Sequence, residues 1–240
     1  MPLPLSSRVE LRDDRPTLLL NESPVAPLIY ALSDCPGARW SWEEVPTRNI
    51  SEFGKRGVRL FQVDIWLNQM LDDSGDLDIA LARRQIAGVT SAAPDGAVML
   101  RLHLNPSKSW IDAHPEEWVG YADTEPRDLP IHGLHRPLAH DGDRPKRASF
   151  YSTIWQQWAH ATLREFCEKL AATPEGDALF GLQLANGVYG EWHQFGFLHH
   201  DPDSGLASTV AFRLWLQNKY GDEAALAKAW NSPGLTWETA

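Results

Sequence analysis

Residues 27–40 read PLIYALSDCPGARW. The stretch 27–33 is an apolar run of strand length, and a turn follows it at once. An open, doubly wound parallel sheet carries a glycine-rich phosphate-binding turn after its first strand. SDCPGARW contains no GxGxxG. A (β/α)8 TIM-type barrel makes no such demand and instead places large loops after the C-terminal ends of its strands. Tryptophan-rich and histidine-rich segments follow the apolar runs of this chain, which favours the barrel.

Working outward, 58–65 (VRLFQVDI), 97–104 (AVMLRLHL) and 179–185 (LFGLQLA) are three further strand-like runs. Helical patterns separate them. Residues 49–56 predict a short helix with Ile50 and Phe53 inward and Gly57 as its stop. Asp78 predicts the cap of a helix whose stripe is Ile79, Ala82, Ile86, Val89 and Ala93, at helical steps. Pro94 ends it and Asp95-Gly96 turns the chain. Ser149 or Ser152 opens a long helix reaching Ala172, with Ile154, Trp158, Ala161, Phe166 and Leu170 as its buried face. Ser208 is read as the cap of a helix carrying Val210, Phe212, Trp215 and Leu216, closed by Tyr220-Gly221 and followed by a short helix at 222–230. Alternating strands and helices imply parallel βαβ units, and right-handed crossovers place the four strands parallel and adjacent in chain order. Residues 1–26 form an N-terminal arm, in which 17–23 (TLLLNES) is half of a hairpin. Residues 105–148 are a long insertion after the third strand.

Composition narrows the function classes. The chain has 240 residues, 43% hydrophobic and 22% charged, which describes one large globular domain. Its formal charge is −10 and it has no basic run, so neither nucleic acid nor an anionic membrane surface is expected as a partner. No apolar stretch reaches 18 residues, so none spans a membrane. The opening MPLPLSSRVELRDDRP lacks a signal-peptide core, which predicts a cytoplasmic protein. Two cysteines, Cys35 and Cys167, make no disulfide framework. Eleven tryptophans suit flat, amphipathic binding faces.

The fourth run continues as LQLANGVYGEWHQFG, 182–196. Gly187 and Gly190 allow sharp turns and present Glu191 beside Trp192. A carboxylic acid against an aromatic wall has its ionised form disfavoured, as a general acid requires. A solvated loop glutamate beside a packing tryptophan fits the same spacing. Other strand ends offer Asp64 and Trp66, then Arg101, His103, Asn105 and Trp110. A rival set is His193, His199, His200, Asp201 and Asp203, with His132, His135, His140, Asp141 and Asp143 upstream. It lacks HExxH, His199 and His200 are sequence neighbours, and DPDSG is only a fragment of a calcium loop, so no metal is expected. Cys167 is read as core, and Gly181 and Gly187 build no phosphate cradle, so no cofactor is expected.

LQLANGVYGEW together with AFRLWLQNKYGDEAALAKAW, 211–230, resembles the clan A glycoside hydrolases, in particular the family 42 β-galactosidase-like barrels, over about residues 50–230. The resemblance implies a retaining glycosidase acting on a β-linked sugar, with a β-galactoside as first guess. It implies Glu191 as general acid and then general base, and Asn186 on the sugar 2-hydroxyl. The family commonly joins this Asn and Glu directly, whereas Gly-Val-Tyr-Gly separates them here. In such a carbohydrate site Trp66, Trp110 and Trp192 would stack on pyranose faces, while Asp64, His103 and Asn105 hold hydroxyls. The clan takes its nucleophile from the seventh strand. With four strands read, the chain is expected to be the N-terminal half of a catalytic barrel, inactive and self-associating alone, with Glu238 no substitute nucleophile. The alternatives are a non-catalytic carbohydrate-binding barrel and a metal-dependent hydrolase.

Overall fold

The computed structural model describes residues 5–32, 37–123, 146–187, 190–194 and 200–240. Its centre is a parallel four-stranded sheet in the order β4 (Ile29–Ala31), β5 (Leu60–Trp66), β6 (Ala97–His103) and β7 (Leu179–Ala185). All three pairings are parallel, as the βαβ reading requires. The helices α1 (Glu44–Lys55), α2 (Ala80–Ala92) and α4 (Thr153–Ala171) alternate with these strands along the chain.

Pleating divides the sheet into two faces. Phe61, Val63 and Ile65 of β5 and Val98, Leu100 and Leu102 of β6 point one way and join Ile50, Ala82, Ile86, Val89, Phe166 and Leu170 in the main core. The other face carries Asp64 and Trp66 beside their register partners Arg101 and His103. β5 is buried on both faces, which fits its mostly apolar run, interrupted only by Gln62 and Asp64 on the second face. Phe166 is fully buried at the helix-to-sheet interface. Truncation to alanine there is expected to cost about 3–5 kcal/mol in a urea titration, because a rigid core closes only part of the cavity.

Beneath the sheet lies an antiparallel meander of β1 (Ser7–Arg12), β2 (Arg15–Leu20) and β3 (Ser23–Val25). Asp13-Asp14 and Asn21-Glu22 are its two-residue turns, all four at positive φ, the geometry that matches strand twist in tight hairpins. Leu18, Leu20 and Val25 of the meander pack on Leu60, Ala97 and Phe180. Leu60, Ala97 and Phe180 all lie at strand starts, so the meander covers the N-terminal end of the sheet.

Several local expectations need correction. The first strand is only Ile29–Ala31, the three residues that pair with Leu60, Phe61 and Gln62 of β5. The helix expected at 49–56 starts at Glu44, since Pro46 falls in the first turn, where a missing N–H breaks no helical bond. Its Phe53 is 41% exposed and stacks on Tyr30. Ser152, not Ser149, caps α4, its hydroxyl accepting from Trp155 N at 2.9 Å. The buried face of α4 is Trp155, Ala159, Thr162, Phe166 and Leu170, one residue away from the expected Ile154, Trp158 and Ala161. The Trp155 indole donates to Leu104 O, which turns that residue inward. The helix α5 (Leu206–Tyr220) is capped at Gly205 rather than Ser208, whose hydroxyl donates to the Asp203 and Gly205 carbonyls. Val210, Phe212 and Trp215 are exposed on it, and of the expected face only Leu216 is buried. The chain finishes with α6 (Glu223–Ala229).

Candidate active site at the C-terminal end of the sheet

The ends of β5 and β6 converge first. Arg101 holds Asp64 through two bonds, Nε to Oδ1 at 2.6 Å and Nη2 to Oδ2 at 2.5 Å. These residues are register partners, so the fork-to-fork geometry follows from the strand pairing. The Asp64 side chain is 7% exposed, and His103 Nε2 lies 3.9 Å from its Oδ2. Burial pushes this carboxyl up, but the nearby His103 imidazole and the Arg101 guanidinium together hold it below the usual aspartate range. A carboxyl lowered on folding adds stability that is whole above the unfolded value near 3.9 and is lost as pH falls through the folded value. The thermal unfolding midpoint is therefore expected to fall below about pH 4, with a shallower acid limb in Asp64→Asn.

Trp66 is 1% exposed and lies flat on His103, ring centroids 4.6 Å apart and planes 18° apart. Trp40 meets Trp66 edge-on and stacks on Trp42, whose ring carries Arg84 at 4.0 Å. The loop bearing these tryptophans is tied to α2 by Gln85. Its Oε1 accepts from Ser41 N, its carbonyl from Ser41 Oγ, and its Nε2 donates to Asp64 O. Trp66 is thus a packing member of an aromatic stack with no open face. Gln85, Ser41 and Trp40 were not read from the sequence as site residues. The available signal was a glutamine inside the apolar stripe of α2, between Ala82 and Ile86.

The loop after β7 closes over this stack. Asn186 is buried, and its carbonyl accepts from Trp192 N at 2.9 Å. Gly187 has φ +69°, and a Cβ there would meet His193 O at 2.1 Å. Gly190 has φ +76°, and a Cβ there would stand 2.9 Å from His103 Cε1. Both glycines therefore serve the turn for which they were singled out. Glu191 follows on the outside, its side chain 65% exposed and 3.7 Å from His193 Nε2. Trp192 packs edge-on against Phe150 and Trp155, and its indole donates to Leu184 O. Gln194 is buried, with neither amide atom hydrogen-bonded among the described residues, and it too was missed.

The structure therefore gathers Asp64, Trp66, Arg101, His103, Asn186 and Glu191 at one end of the sheet. Asn105 is buried two residues past β6. Trp110 belongs to α3 (Lys108–Ala113), stacked on His114 and tilted against Trp158 of α4. The rival histidine set is dispersed where it can be followed. His200 pairs with Asp123 at 2.9 Å, and Asp203 accepts from Gly120 N, Gly205 N and Ser149 Oγ as a loop tie. Cys35, His132, His135, His140, Asp141, Asp143 and His199 lie outside the described residues. Among the described residues no group of three His, Cys, Asp or Glu side chains is placed to hold a metal, and no helix is long and apolar enough to cross a membrane.

No protein-family model matches the chain, and no curated protein does. Solved structures do. The β-galactosidase of the psychrophilic Marinomonas ef1 superposes with a TM-score of 0.53 at 19% identity, over 88% of this chain and 28% of that one. The catalytic domain of the Paenibacillus polymyxa β-amylase gives 0.51 at 13% identity, over 88% of this chain and 52% of that one. The β-galactosidase of Rahnella sp. R3 gives 0.51 at 18% identity, over 88% and 28%. The chain thus spans between about a quarter and a half of the proteins it resembles. What it shares with them is a fold, the parallel strand-and-helix architecture of glycosidase barrels.

Proposed function

We propose that this chain forms the first four strand–helix units of a retaining glycosidase barrel and supplies its general acid/base, Glu191. The observation that carries the reading is the position of Glu191. It stands outside the C-terminal end of the fourth strand of a parallel sheet, on a two-glycine turn, at the end where barrel enzymes gather their catalytic groups. Likeness in fold to two β-galactosidases and a β-amylase supports a carbohydrate substrate, and a β-linked galactoside remains the first choice of sugar.

A retaining glycosidase needs a second carboxylate about 5–5.5 Å from the first. The proposal takes it from a strand beyond the four. Two features support that: Leu182 and Leu184 of β7 are 38% and 41% exposed, and α5 presents Leu206, Val210, Leu214 and Trp215 to solvent. Apolar surface of this kind suits further strands and helices. The test is a panel of chromogenic glycosides, offered to the chain alone and to any longer polypeptide that carries it. The proposal predicts release only from the longer form and strongest on a β-galactoside. Sugar binding without release by that form would favour a non-catalytic carbohydrate-binding barrel.

A further inference from the structure

We infer that His103 is a positioning residue, a strut on which the turn carrying Glu191 rests, acting by the shape of its ring. The inference rests on the proposed role of Glu191 and extends it to the residue that holds Glu191 in place. Four observations meet at this side chain. It is 2% exposed, beneath the turn rather than open to solvent. One face of its ring is fully used by the Trp66 indole. Its Cε1 lies so close to Gly190 that a Cβ there would approach to 2.9 Å, with Ala185 Cβ at 2.8 Å on another side. Neither ring nitrogen has a hydrogen-bond partner among the described residues, and the nearest carboxylate oxygen, on Asp64, is 3.9 Å away and already bound to Arg101.

A buried histidine ordinarily spends its nitrogens on hydrogen bonds. Among the described residues the close contacts of this one are made by its ring face, on Trp66, and by its edge, beneath Gly190. The stack Trp40, Trp66, His103 runs from the Gln85-tied loop to the underside of Gly190. Above it, among the described residues, the turn is tied by Gly187 N to Asn186 Oδ1 and by the Trp192 indole to Leu184 O. Trp192 N to Asn186 O closes it, and Glu191 beyond is mostly in solvent. A catalytic carboxylate must be held to within a fraction of an ångström to be useful. Here that constraint enters from below, through van der Waals contact between an imidazole edge and a glycine that has no side chain to intrude.

Hydrogen exchange of the chain itself, read at the Trp192 amide and its neighbours, tests this without any need for turnover. His103→Ala removes the strut and is expected to raise exchange at Trp192 by about tenfold, leaving the Leu100 and Leu102 amides of β6 unchanged. His103→Phe keeps a flat ring and is expected to restore protection. Gly190→Ala would set a methyl 2.8 Å from Ala185 Cβ and 2.9 Å from His103 Cε1, at a positive φ, and is expected to loosen the same amides, less so when combined with His103→Ala, which removes the ring it meets; this keeps the test open should His103→Ala alone fold poorly. Unchanged exchange at Trp192 in both His103→Ala and Gly190→Ala would overturn the inference. So would loosening in His103→Phe equal to that in His103→Ala, since the ring nitrogens rather than its shape would then matter. Separately, if Glu191→Gln left glycoside hydrolysis intact while His103→Ala loosened the turn, the proposed function would fail and the strut would stand.

Discussion

Glu191→Gln is expected to lower kcat by two to four powers of ten on glycosides with poor leaving groups, the range a positioned general acid contributes. On activated aryl glycosides, whose leaving group departs without a proton, bond cleavage should change far less. The comparison is made in the form of the protein that shows turnover, with the substrates ranked by leaving-group pKa. A steepened dependence on that pKa in the variant identifies the lost proton donor. Equal losses across the series would mean that Glu191 has another role. The open setting of this carboxylate bears on the result. Its side chain is 65% exposed and the His193 imidazole is 3.7 Å away. The apolar wall expected from Trp192 is turned toward Phe150 and Trp155 instead. For Glu191 to act as the acid, bound substrate must exclude water from it during the reaction.

The second large effect is on stability. Arg101→Leu leaves the Asp64 carboxyl, 7% exposed in the folded chain, without its fork of donors. Breaking a fully buried pair by removing one partner costs about 3–5 kcal/mol, because the other charge stays buried uncompensated; with the Arg101 side chain 22% exposed, the loss here should lie at or below the low end of that range. Urea unfolding should show this as a lower midpoint at unchanged slope. Replacing both residues, as in Asp64→Leu with Arg101→Leu, should recover much of the loss, since no charge is then left behind. A double variant as unstable as the single would mean that the pair contributes through packing against His103 and Trp66 and not through charge.

The strands were legible as strand-length runs rich in Leu, Val, Ile and Phe, whether buried on both faces as in β5 and β6 or left open on one side as in β7. LFGLQLA is β7 from end to end. The stripe of α2 was legible for a similar reason, with Ala82, Ile86 and Val89 all fully buried. The face of α4 was not. Ile154, Trp158 and Ala161 fit a helical period as well as Trp155, Ala159 and Thr162 do. Long-range packing separates them: Trp155, Ala159, Phe166 and Leu170 lie in the main core, and the Trp155 indole donates to Leu104 O. On α5 the apolar pattern was read correctly as residues and wrongly as burial, since burial depends on what lies opposite. In the site, Gly187 and Gly190 announced a turn because positive φ is what glycine supplies. What lies beneath that turn, His103 flat on Trp66 and Gln85 threaded between Ser41 and Asp64, joins residues 20 to 90 positions apart and leaves no local pattern.

The central claim is that Glu191 is the acid/base of a retaining glycosidase, and azide rescue of Glu191→Ala tests it most directly. An activated aryl β-glycoside can still form the glycosyl-enzyme, since its leaving group needs no proton. Water then attacks slowly, because no carboxylate takes its proton, whereas azide is an anion that needs no base. It displaces the nucleophilic carboxylate from the β face, and the glycosyl bond to that carboxylate breaks as the C–N bond forms. The account predicts faster turnover with azide and a β-glycosyl azide by proton NMR. An α-glycosyl azide would make Glu191 the nucleophile, and undiminished hydrolysis without azide would remove it from the reaction altogether.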